Sequence, residues 1–168
     1  MSLKNRGDFY NIMEECIIDE LDSRILSYIA NNSRISFLEV ARLCGVSGAA
    51  VHQRVQRMSA NGVIKGSHFM LDMTKVGYNT CAYVSLSFDD ASRLDSIVEA
   101  IESIPEIVEC YHTLGQFDLL VKIYARSNSH LLAIIQQQLK PLGVVRSETT
   151  ILCSESFSRQ LPFNDVDK

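Results

Sequence analysis

Between Phe37 and Gly62, apolar side chains recur in two helical registers separated by one glycine-bearing break. No other stretch of the 168 residues limits the architecture as tightly. Phe37, Val40, Ala41 and Cys44 stand at i, i+3, i+4 and i+7, one apolar face of a short helix. Gly45 suits the position just past a helix end. Ser47 suits the N-cap of the next helix, where a hydroxyl accepts from free N–H groups. Val51, Val55 and Met58 then repeat at i, i+4 and i+7 until Gly62. Two short helices joined by a tight turn make a helix-turn-helix unit.

With those three residues turned inward, His52, Gln53, Gln56 and Arg57 face outward and Arg54 lies at the flank. This face carries guanidinium and amide groups and no carboxylate. Arginine suits guanine edges, glutamine pairs with adenine, and both reach phosphate. Ser47, Gly48, Ala49 and Ala50 are small, so the helix start can approach a groove and aim its N–H groups at phosphate. The competing reading is a solvated polar face on an ordinary helical hairpin. On the DNA reading, Arg57→Ala weakens binding.

The net charge of −4 argues at first against a nucleic-acid partner, so its distribution matters. Residues 18–66 carry a net +2, residues 67–168 a net −5 and residues 1–17 a net −1. A modestly basic module is therefore joined to an acidic one, as expected if only the first meets phosphates. Hydrophobic content of 46% with 21% charged residues places the chain among soluble globular proteins. No apolar run is long enough to span a membrane, and the start of the chain does not read as a secretory leader. Five widely spaced cysteines, none paired at metal-ligand spacing, read as reduced core fillers of a cytoplasmic protein.

Residues 1–17 contain Phe9, Ile12, Met13, Cys16 and Ile17 at helical spacing, an amphipathic extension that either packs on a partner subunit or docks loosely. A first helix is expected from Asp19 to Ala30 with Leu21, Ile25, Tyr28 and Ile29 as its core stripe. Asp19, Glu20 and Asp22 then favour the helix dipole. After the second and third helices, Val63-Ile64 reads as a short strand bracketed by Gly62 and Gly66, making a small wing with Lys65 placed to touch the DNA backbone. Ile64 to Asp72 is an extended connector with large apolar residues, where contact with a partner is expected.

From Thr80 the period changes to two. Ala82, Val84, Leu86 and Phe88 form one face of a strand. A helix follows through Leu94, Ile97, Val98 and Ile101, then strands at Ile107–Leu114 and Asp118–Ala125 around the turn Gly115-Gln116-Phe117. A second helix runs through Leu131, Leu132, Ile135 and Leu139, and Val144–Leu152 is a final strand. The order β-α-β-β-α-β is the split ferredoxin-like unit. Its free sheet face would carry Tyr83, Tyr111 and Tyr124, apolar enough to be covered by another subunit. The fold class is α+β: a winged-helix-like helix-turn-helix domain followed by a ferredoxin-like domain. The expected divisions are 1–17 (extension), 18–64 (helix-turn-helix), 65–79 (hinge strand), 80–157 (sensing and assembly) and 158–168 (tail).

Leu21-Asp22 with Ile25-Leu26, Arg34-Ile35-Ser36, Gly45-Val46-Ser47, Arg54-Val55, Gly62-Val63-Ile64 and Gly115-Gln116-Phe117-Asp118 occur in the order and spacing of one family. Over Ile18 to Phe157 the sequence resembles the Lrp/AsnC (feast/famine) transcriptional regulators. The resemblance implies a DNA-binding helix-turn-helix domain, a hinge strand, and a domain that dimerises and builds octamers or other rings on double-stranded DNA. It also implies a free amino acid effector bound between dimers near Thr113, Gly115, Gln116, Phe117 and Asp118. Two positions depart from the family pattern. Gly48 stands where proline often follows the capping serine, and Gln116 stands where the turn commonly carries a first aspartate. A plain hairpin turn, with Asp118 capping its own backbone, is the bland alternative.

Two other readings remain open at this level. Some tetrapyrrole-modifying decarboxylases look similar to this family, with His112 then a catalytic group, but the polar face of the third helix is not something an enzyme requires. An architectural DNA-binding protein with a degenerate effector site is motivated by Gln116. No metal-ligand spacing, phosphate loop or nucleophile elbow is present, so no cofactor or catalytic residue is assigned.

Overall fold

The computed structural model describes residues 18–67 and 69–158. The amphipathic pattern noted at 1–17, the tail from 159 and His68 lie outside the described residues. The chain divides between Phe69 and Met70 into two compact units.

The first unit contains α1 (Glu20–Asn31), α2 (Phe37–Cys44) and α3 (Gly48–Ala60). Helix α1 opens with a reciprocal cap in which Asp22 N–H donates to the Asp19 carboxylate at 2.8 Å and Asp19 N–H to Asp22 at 3.2 Å. Ser36 caps α2 and Ser47 caps α3, each hydroxyl accepting from the backbone three residues on. Gly45 ends α2 at φ +71°, a left-handed conformation, and its N–H closes the last turn onto Ala41 and Arg42 carbonyls.

The core of this unit is Ile25, Leu26, Val40, Ala41, Cys44, Val51 and Met58. Two details differ from the apolar periodicity. Leu21, Tyr28 and Ile29 are only half-buried, and Leu26 takes a core place beside Ile25. Phe37 is 38% exposed and lies against the His52 ring, with centroids 5.9 Å apart. No strand forms at Val63-Ile64 or elsewhere in the described part of 65–79. Both Val63 and Ile64 N–H groups donate instead to the Met58 carbonyl at 2.9 and 3.2 Å, closing the end of α3 rather than joining a ladder. Beyond them the connector ends in a 3₁₀ turn, Met73–Val76, capped by Asp72.

The second unit, Met70–Ser158, holds β1 (Thr80–Phe88), α4 (Leu94–Glu102), β2 (Ile107–His112), β3 (Leu119–Ala125), α5 (Asn128–Ile134) and β4 (Val144–Leu152). The strands form one antiparallel sheet in the order β2-β3-β1-β4, with β4 antiparallel to β1 along its length. Alternate residues of β1 and β3 (Ala82, Val84, Leu86, Phe88 and Leu119, Val121, Ile123, Ala125) are buried. They pack in one core with Ile97, Ile101, Leu131, Ile134 and Leu139 from the helical segments. Helix α5 continues as a π turn, Ile135–Leu139, and a 3₁₀ turn, Lys140–Leu142. Leu131 and Ile134 define the buried face of α5, so Leu132, which the simple stripe includes, is exposed; the π turn then brings Leu139, five residues after Ile134, back to the core.

Gly143 joins that segment to β4 at φ +96°, and a Cβ there would stand 3.0 Å from an Asp89 carboxylate oxygen. Gly143→Ala is therefore expected to destabilise the second unit by about 1–3 kcal/mol, read as a lower midpoint in chemical denaturation.

Candidate nucleic-acid interface

On α3, His52, Gln53, Gln56 and Arg57 are exposed, as the helical periodicity requires. The small helix start is open too: Ser47 and Ala49 are exposed, Gly48 and Ala50 half-buried. A Cβ at Gly48 would meet only the tip of Leu38 beyond its own helix, at 4.0 Å. A cleft of about 430 Å³ runs beside it, lined by Ser36, Leu38, Glu39, Ala41, Arg42, Val46, Ser47 and Gly48. Lys65 is exposed just beyond the helix, and the Arg34 guanidinium lies 5.2 Å over the Phe69 ring.

The arginines of α3 do not stand free. Arg54 bonds the Asp19 carboxylate and, at 3.2 Å, Asp22 Oδ1. Arg57 bonds Asp22 Oδ2. The Asp22 side chain is 0% exposed, whereas those of Arg54 and Arg57 remain 29% and 47% exposed. A fully buried carboxylate requires compensation, and two guanidinium groups with the Asp19 N–H supply it. Asp19 and Asp22 thus do more than favour the dipole of α1; they join its first turn to the middle of α3. Matching pairs, two carboxylates and two guanidiniums each three residues apart, were visible in sequence. That they meet across 32 to 35 residues was not.

In the second unit the turn between β2 and β3 is closed on itself and on β1. Thr113 N–H donates to the Asp118 carbonyl at 2.9 Å, and its hydroxyl to the Phe117 carbonyl at 2.6 Å. The Asp118 carboxylate accepts from Phe88 N–H at 3.0 Å, so it braces β1 and not its own backbone. Ser87 donates to the Gln116 carbonyl at 3.0 Å, and the Arg146 guanidinium lies 5.1 Å over the Phe117 ring. Gly115 and the Gln116 side chain remain exposed. The five residues Thr113 to Asp118 singled out in sequence are therefore together, with one Asp118 oxygen already engaged.

Residues 18–65 match the family described as winged helix-turn-helix DNA-binding, and residues 81–162 match the Lrp/AsnC ligand binding domain. The HTH-type transcriptional regulator Rv2324 of Mycobacterium tuberculosis is 33% identical over 145 residues, 86% of this chain and 98% of that protein. The chain belongs to the Lrp/AsnC family of transcriptional regulators. The solved structure of Escherichia coli AsnC has a TM-score of 0.79 at 26% identity, covering 87% of this chain and 99% of that one. A Neisseria meningitidis regulator, NMB0573, solved as its L-Met complex, shares the fold with a TM-score of 0.77 at 18% identity, covering 87% of this chain and 97% of that one.

The free sheet face of this Lrp/AsnC regulator is less apolar than its three tyrosines suggested. Lys122 Nζ lies 3.1 Å from Glu109, and Tyr83 and Tyr111 hydroxyls donate to the same carboxylate at 3.4 and 3.2 Å. The ammonium also sits 5.7 and 5.6 Å from the Tyr83 and Tyr124 rings. Burial alone would lower the Lys122 pKa, but Glu109 outweighs it and holds the ammonium above its ordinary value. Cys44 is buried and Cys81 and Cys110 half-buried, whereas Cys153 is exposed rather than a core filler. Among the described residues no group of three or more His, Cys, Asp or Glu could hold a metal, and no helix is long and apolar enough to cross a membrane.

The Arg54 guanidinium, and then the Asp22 backbone N–H, hold the Asp19 carboxyl below its ordinary value of 3.8. A carboxyl depressed in the fold stabilises it above the unfolded-state value and loses that contribution as pH falls toward the folded-state value. Protection of α1 and α3 amides against hydrogen exchange, relative to the intrinsic rate at each pH, is therefore expected to fall as pH drops below 3.8, by less in Asp19→Asn than in the parent.

Proposed function

We propose that this transcriptional regulator binds specific double-stranded DNA by setting α3 into the major groove, and that a free amino acid held near the β2–β3 turn regulates its assembly. The observation that carries the DNA reading is the exposed surface of His52, Gln53 and Gln56 over a helix start of small residues, with no carboxylate on that face. Amide and imidazole groups so placed reach base edges, while Ser47 to Ala50 let the helix end approach phosphate. Lys65, Arg34 and Arg42 supply backbone cations around it. We assign DNA binding to residues 18–64, a connector to 65–79, and sensing and assembly to 80–157.

A dimer sets two such helices about 34 Å apart in successive major grooves of a near-palindromic site. Dimers further associate into octamers or other rings. An amino acid at the dimer–dimer seam shifts DNA binding only through different affinity for two assemblies. The match to a ligand binding domain and the L-Met complex of a protein with this fold support that assignment. The engagement of Asp118 with Phe88 favours a second reading, an architectural DNA-binding protein whose turn takes no effector.

Affinity for a cognate duplex should fall steeply with rising salt, and Lys65→Ala should lower the slope by about one unit per protomer. A salt-insensitive complex would refute the DNA reading. A rise in melting temperature with any one free amino acid supports the sensing role, whereas none with the full set supports the architectural one.

A further inference from the structure

We propose that Asp22 is a positioning residue that sets base preference: by holding Arg54 and Arg57 against α1, it leaves the reading of base edges to His52, Gln53 and Gln56. The inference rests on the DNA-binding reading and adds which side chains do the discriminating.

The geometry is specific. At 100° per residue, His52, Gln56, Gln53, Arg57 and Arg54 follow one another around α3, so the two arginines occupy the edge of the exposed face nearest α1. Each turns its guanidinium toward Asp22, whose two oxygens are both engaged. For Arg57 to swing onto a guanine, a fully buried carboxylate would lose one of its two guanidinium partners. The penalty for weakening that compensation opposes the gain from one guanine contact. Gln53 and Gln56 carry no such tether among the hydrogen bonds of the described residues. His52 is braced in its outward position by the Phe37 ring.

The consequence concerns sequence. Glutamine presents an amide that matches the acceptor and donor of adenine, while guanine is the partner of a free guanidinium. The cognate half-site should therefore owe adenine positions to the glutamines and no guanine to Arg57. Arg57, with its partly exposed side chain, is left to touch the DNA backbone at most, and that contact carries no base preference.

The test is selection of bound sites from random duplex DNA by the full chain, run in parallel for the parent, Arg57→Gln, Gln53→Ala and Asp22→Asn. The expected result is that Arg57→Gln, once its melting shows a folded first unit, keeps every guanine preference of the parental site within about threefold. Gln53→Ala should lose roughly tenfold of the preference at one base pair in each half-site. Asp22→Asn, if its melting shows a folded first unit, should gain a guanine preference that the double variant Asp22→Asn/Arg57→Gln lacks. If the Asp22 or Arg57 variants do not fold, Gln53→Ala decides the matter. Loss of a guanine preference in Arg57→Gln, or an unchanged site in Gln53→Ala, would overturn the inference while leaving DNA binding intact. A parent that selects no site would overturn the DNA-binding reading itself.

Discussion

The first unit depends on compensating one carboxylate placed where water cannot reach it. Asp22 lies in the first turn of α1 with no exposed surface, and Arg54 and Arg57 reach its two carboxylate oxygens from α3. Charge on a buried carboxylate is costly, so breaking this arrangement from either side strands an ion. The pairing therefore ties the first turn of α1 to the middle of α3, beside the apolar core of this unit. It also draws the Arg54 and Arg57 guanidiniums to the α1 edge of the outward face, where Arg57 stays partly exposed. The rest of that face carries amide, imidazole and small side chains.

The second unit works on a different constraint. A four-stranded sheet with its helices on one side must give its other side something to do. Here that side holds Lys122 and Glu109 as a cross-strand ion pair, with tyrosine hydroxyls and rings around it. The β2–β3 turn is equally occupied, its carbonyls and the Asp118 carboxylate accepting from Thr113, Ser87 and Phe88. These bonds hold the turn in one shape, leaving Gln116 and the backbone of Gly115 as its open groups.

Both folds were legible because their signals are local. Val51, Val55 and Met58 repeat at the helical period, Ala82 to Phe88 alternate at the strand period, and Gly45 and Ser47 mark a helix end and start. The ladder order β2-β3-β1-β4 follows from the β-α-β-β-α-β pattern once the right-handed crossovers are respected. The site was legible only in part. His52, Gln53 and Gln56 face outward as the period requires, whereas the direction of the Arg54 and Arg57 side chains depends on a helix 32 to 35 residues earlier. The same kind of long-range partner hid the role of Asp118, which braces Phe88 across 30 residues. Leu132 was misplaced for a local reason instead, since adjacent Leu131 and Leu132 stand about 100° apart on α5 and the buried face follows Leu131 and Ile134.

The tie between α1 and α3 is tested most directly by a double-mutant cycle on Asp22→Asn and Arg57→Gln, with unfolding of the first unit followed by hydrogen exchange in its helices. Two side chains that share one buried contact should show a coupling above about 0.5 kcal/mol, the double variant losing less than the two single variants together. Additive losses would mean that the Asp22–Arg57 contact contributes nothing of its own, and that α3 is held on α1 without it.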